Sequence, residues 1–214
     1  VVDLWKHHPV RDCPEDAELA RHGDENSFRF FLNPIFKGHY SAYILSQMER
    51  QGTLPEIHPA DLELISQPLD FYGLNVYNRV RFTKDENALK KEQKEFAGGN
   101  FLDNGTEFYP KAVYDAIKLV KDEFKISIPI YITENGTYNC GEELIKGKIH
   151  DLDRIKYMKG FLEWIHQSME EGADIRGYYA WSLMDNYEWA AATSMRFGLI
   201  HVDFETLKRI WKDS

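Results

Sequence analysis

Short apolar runs that stop at polar turn residues alternate along this chain with longer stretches in which apolar residues recur every three or four positions. Four runs read as strands, at residues 1–5, 70–75, 130–133 and 177–182. The third lies between Pro129 and Asn135-Gly136, and a short continuous apolar run between such breakers predicts a strand buried on both faces. Between strands the period lengthens. After Pro110, the residues Val113, Ile117, Val120 and Phe124 share one helical face. A second helix is expected behind a cap at Asp151 or Asp153, with a buried stripe of Ile155, Met158, Leu162, Ile165 and Met169 and an end at Gly172. A third is expected over residues 34–51, while the polar stretches 84–99 and 138–148 read as loops. Alternation of strand and helix at this scale favours a parallel α/β fold over a bundle or a sandwich.

In α/β folds, chemistry collects at the C-terminal ends of the strands. Glu134 stands at such an end and is the candidate nucleophile; the competing reading of this segment alone is an exposed loop glutamate. The fourth run breaks into a loop that holds Trp181, Glu188 and Trp189 within nine residues. A sugar presents an apolar ring face and a fringe of hydroxyls, so its site needs flat aromatics together with carboxylates that accept paired hydrogen bonds. Core tryptophans and a solvated glutamate are the competing reading, but these aromatics lie at and beyond a strand end, not at helical spacing.

Three segments carry a family resemblance: YITENG at 131–136, GYYAWSLMDNYEW at 177–189 and RFGLIHVDFETLKRIWKDS at 196–214. With FFLNPIFKGHY, LDFYGLNVY, EFYP and HDLDRIKYM in the same order, the chain resembles the C-terminal part of a glycoside hydrolase family 1 enzyme of the β-glucosidase type, over nearly its whole length. The resemblance implies strands five to eight of a (β/α)8 TIM barrel. Residues 1–214 would then be a single partial domain, a C-terminal half-barrel, with the N-terminal half absent from this chain.

The same resemblance makes Glu134 the nucleophile of a retaining β-glycosidase and Tyr77 the residue that orients it, with Asn75, at the same strand end, expected among the substrate-binding residues. Trp181 matches the platform under the sugar, Glu188 the carboxylate for its remote hydroxyls, Trp189 a further hydroxyl donor and Phe197 an aromatic wall. The family's acid/base lies in an Asn-Glu-Pro motif that does not occur here, so the chain is expected to be inactive alone. A non-catalytic sugar-binding or assembly half-barrel is the alternative. Two departures bear on substrate: Thr106 stands where the family usually has Trp, and Ala191-Ala192-Thr193 replaces a common Glu-Gly-Tyr. Retention of Glu188-Trp189 favours an unphosphorylated glycoside, glucoside before galactoside.

Length agrees with a partial barrel, because a compact (β/α)8 barrel takes about 250 residues and this chain has 214. A half-barrel exposes strand edges and an inner face, so association with an N-terminal half or with itself is expected. The charge balance of 26 basic to 35 acidic residues, net −9, argues against nucleic acid or an anionic membrane surface as a partner. A neutral β-glycoside needs no charge steering. The two cysteines, Cys13 and Cys140, make no disulfide framework and favour a reducing cytoplasm. No cofactor is expected, and no metal either: His7, His8, Asp12 and Cys13 lack zinc spacing and read as a loop. The glycosylation patterns at Asn104 and Asn135 are discounted at Asn135, which adjoins the nucleophile.

Overall fold

A computed structural model of the chain describes residues 1–96, 101–139 and 142–214. Cys140 and the Gly98-Gly99 pair lie outside the described residues, and Cys13 is a free thiol. The elements run in the order β1 (Val2–Asp3), β2 (His7–Pro9), α1 (Pro14–Asn26), α2 (Phe28–Lys37), α3 (Ala42–Gln51), α4 (Pro59–Ile65), β3 (Tyr72–Asn75), β4 (Val80–Phe82), α5 (Glu86–Phe96), α6 (Lys111–Phe124), β5 (Ile130–Asn135), α7 (Leu152–Glu170), β6 (Ile175–Ala180), β7 (Ile200–Val202) and β8 (Arg209–Trp211). The central sheet has the order β1-β3-β5-β6, and all its neighbours are parallel. All four expected strands are therefore present, side by side in chain order, as in one arc of a barrel.

Period-two alternation sorts the sheet into two faces. Tyr72, Leu74, Ile130 and Ile132 point to the outer face and are buried with Val113, Ile117, Val120 and Phe124 of α6 and with Tyr157, Phe161 and Ile165 of α7. This is the core. The inner face carries Val1, Phe71, Gly73, Tyr131, Thr133 and Tyr179, where Val1 is 75% and Tyr179 58% exposed. The third strand is thus buried on one face only, contrary to the two-face expectation, because no element packs on its inner side among the described residues.

The helix over 111–124 forms as expected, with its whole apolar stripe buried. α7 buries only part of the expected stripe: Ile165 is buried and Met158 packs against the core, but Ile155, Leu162 and Met169 are exposed, and Tyr157 and Phe161 face the core instead. The two rings stack at 4.3 Å and bury more apolar area than the aliphatic side chains they displace. Gly160 on the same face leaves room for Phe108, which a Cβ would approach to 2.9 Å. Asp151 precedes the helix but makes no capping bond; its carboxylate instead takes Arg154 and Ser214. The single helix expected over 34–51 is two helices, broken at left-handed Gly38 and restarted by Ser41, whose Oγ accepts from Ile44 N–H. The polar stretch after residue 84 contains α5, started by Asp85, whose carboxylate accepts from Asn87 and Ala88 N–H. His7 and His8 are not in a loop but in β2, paired with β4.

Candidate active site

At the C-terminal end of β5 the strand register slips, on one side between Ile132 and Asn135 and on the other between Leu74 and Asn75, so that Asn75 faces Glu134. Such slips re-aim side chains at sheet ends. Asn135 fixes the slip. It is fully buried; its amide donates to Val76 O at 2.6 Å and to Tyr157 Oη at 3.1 Å, and its oxygen accepts from Tyr178 Oη at 2.9 Å. One side chain therefore joins the β3 end, α7 and β6, and no amide hydrogen is free for a glycan. Gly136 follows because a Cβ there would lie 1.9 Å from the Trp181 carbonyl oxygen.

Glu134 emerges from this frame beside Tyr77, whose hydroxyl donates to Glu134 Oε2 at 2.7 Å. Burial, and then the bond to Glu134, push the Tyr77 phenol well above its ordinary range, so it stays a donor. Tyr157 supports it from behind, donating to the Tyr77 carbonyl at 2.8 Å. On the other flank, Trp181 N–H donates to Asn135 O at 2.8 Å. The loop beyond returns Glu188, Trp189 and Phe197 to the same cleft of about 490 Å³. Phe197 packs on Tyr138 with ring centroids 5.3 Å apart, while Trp189 is 84% exposed.

Six of the seven residues singled out from the sequence thus line one cleft: Tyr77, Glu134, Trp181, Glu188, Trp189 and Phe197. Asn75 is not among the cleft's lining residues; its side-chain oxygen accepts from Thr133 Oγ1 at 2.7 Å. Thr106 also lines the cleft, together with Trp5, Asn78, Thr137, Tyr138 and Tyr157, which the sequence reading did not single out. Trp5 was within reach of it, since alternation from Val1 through Asp3 puts Trp5 on the inner face. Tyr157 was hidden inside a helix pattern that had two apolar phases.

Beneath the loop lies a buried ion network. Asp185 accepts from Gly198 N–H at 2.9 Å, Val202 N–H at 3.2 Å, Arg196 at 3.2 Å and Lys212 Nζ at 3.0 Å. Glu142 takes the same lysine and lies 3.0 Å from His201 Nδ1. Glu142, Asp185 and His201 come close enough together to suggest a metal site. Their donor set does not fit one, because Lys212, Arg196 and backbone N–H groups already occupy the carboxylate oxygens.

Parallel strands with their helices outside and a cleft at the C-terminal strand ends define the class as a (β/α)-barrel protein, here one arc of the barrel. The chain belongs to glycosyl hydrolase family 1, whose pattern it matches over residues 1–214. It is 34% identical to β-glucosidase A of Acetivibrio thermocellus, over all of this chain and 48% of that protein. Its fold superposes on the family 1 β-glucosidase from Exiguobacterium antarcticum with a TM-score of 0.86 at 35% identity, covering 99% of this chain and 47% of that one. The β-glucosidase from Thermotoga maritima in complex with glucoimidazole matches at 0.84 and 31%, again over 99% and 47%. The chain therefore spans about half the length of these relatives. No described helix is long and apolar enough to cross a membrane.

Proposed function

We propose that this chain is the nucleophile-bearing half of a retaining β-glycosidase, with β-glucosides as substrates. The observation that carries the reading is the 2.7 Å bond from Tyr77 to Glu134 in a cleft that also holds Trp181 and Glu188. In this reading the Glu134 carboxylate attacks the anomeric carbon and forms a glycosyl ester as the bond to the leaving oxygen breaks. That oxygen takes a proton from an acid on a complementary segment, and the same group then accepts a proton from the water that cleaves the ester. Trp181 carries the apolar face of the sugar, Glu188 and Trp189 bind its hydroxyls, and Phe197 walls the site. Asn75 acts through Thr133, whose Oγ1 donates to it. Relatives named as β-glucosidases support the glucoside.

The partner in this reading is an N-terminal half-barrel seated on the exposed inner face of Val1, Phe71 and Tyr179. Mixing the chain with the N-terminal half of a related barrel should release aryl β-glucoside product, and Glu134→Gln should lower that rate at least about 1,000-fold. If the Gln variant keeps near-normal turnover, the assignment fails. Sugar binding by the chain with no recovered turnover would point to the other class, a non-catalytic carbohydrate-binding half-barrel.

A further inference from the structure

Strand order puts the cleft aromatics on opposite sides of Glu134. Trp181 follows β6, the neighbour of β5, whereas Trp5 follows β1, two strands away in the other direction with β3 and Tyr77 between. At about 4.8 Å between strands, Trp5 stands roughly 10 Å from the nucleophile's strand and Trp181 about 5 Å. A pyranose resting on Trp181 with its anomeric carbon at Glu134 fills the β6 side. That leaves the side beyond Tyr77, toward β1, for whatever is bonded to that carbon.

The first broad surface it meets there is the Trp5 ring. Trp5 Nε1–H is already committed to Asp3 Oδ1 at 2.8 Å, so the indole has no polar group free for the cleft. Its ring is tilted 43° to Tyr77 at a centroid separation of 6.2 Å. The residue is 37% exposed while lining the cleft, which separates it from a packed core tryptophan. Thr106, in the chain segment tied to Asn78 through the Glu107 carbonyl, adds only a methyl and a hydroxyl. We infer that Trp5 is the stacking platform for the leaving group of the glycoside, and that it selects leaving groups with a flat or apolar-faced ring. The inference rests on the glycosidase reading above.

Calorimetric titration of the 214-residue chain with non-hydrolysable thioglycosides tests it. Phenyl 1-thio-β-D-glucoside should bind about fivefold tighter than its methyl counterpart. Trp5→Ala should erase that preference and leave methyl 1-thio-β-D-glucoside binding unchanged. Trp5→Phe, which keeps a ring in the same place, should retain part of it, and serves if the alanine variant folds poorly. A thio-linked cellobiose weakened in parallel with the phenyl compound extends the platform to a second sugar; a loss confined to the phenyl compound assigns it to aromatic leaving groups. A phenyl preference that survives Trp5→Ala, or equal weakening of methyl and phenyl compounds, overturns the inference. Failure of the unmodified chain to bind the methyl compound, where Trp5 plays no part, instead strikes at the sugar site around Trp181.

Discussion

On the β6 side of the cleft, the loop that returns Glu188, Trp189 and Phe197 is anchored by charges withdrawn from solvent: Asp185 and Lys212 have fully buried side chains, and Glu142 and Arg154 nearly so. On the β1 and β3 side, the supporting contacts are shallower. Arg79 and Glu107 form a two-pronged ion pair with an N–O distance of 2.6 Å, both side chains partly open to water, with the guanidinium 3.9 Å from the Tyr109 ring. A buried pair carries a large desolvation cost and holds only when every partner is present. A pair whose side chains keep 13% and 17% of their surface in contact with water costs less to make and less to lose than one with none. The wall assigned to the sugar is therefore held in an all-or-none way, while the wall assigned to the leaving group tolerates change.

The sharpest way to break this contrast is Lys212→Met, which strands Glu142 and Asp185 without their shared cation. It should destabilise the chain by about 3–5 kcal/mol in urea titration. A loss under about 1 kcal/mol would make the two walls equivalent. Glu107→Gln on the other side should cost about 1 kcal/mol by the same measurement.

The smallest effect is titrational. Burial, reinforced by the charges of Arg79 and Lys6, pushes the His8 imidazole down to about 4 from 6.5, and its Nε2 is buried without a partner. The folded chain therefore prefers neutral His8, and the unfolded chain takes up the proton first. Stability from this group is complete above pH 6.5 and falls as the pH drops from 6.5 toward 4. Allowing for its partial exposure, the loss between pH 7 and pH 6 should be about 0.5 kcal/mol. His8→Phe should flatten that part of the curve; an unchanged slope would remove His8 from the account.

The sequence made some of this legible and hid the rest for identifiable reasons. The strand end marked by Asn135-Gly136 was readable because turn residues cut the apolar run abruptly, whereas the fourth strand, expected over 177–182, spans Ile175–Ala180. The α6 stripe was readable because it has a single apolar phase. In α7 two phases compete, and only tertiary packing of Tyr157 and Phe161 against the sheet decides between them. The helix α5 has a polar surface pattern, and its one clear signal was the starting Asp85. The break between α2 and α3 was visible in Gly38 and Ser41. The ion network was not readable, since its pairs join residues as distant as Glu142 and Lys212, and charge alone carries no register. Among the site residues, all those named by motif except Asn75 line the cleft, whereas Trp5 needed the strand geometry to place it.

Asn135 has one further consequence. Because a single amide group is shared among the end of β3, a tyrosine of α7 and a tyrosine of β6, the bearing of the adjacent carboxylate is geared to the seating of the long helix behind the sheet. Slackening of that helix would turn Glu134 off its line before the sheet itself came apart, so aim and tertiary order would fade together as the molecule warms.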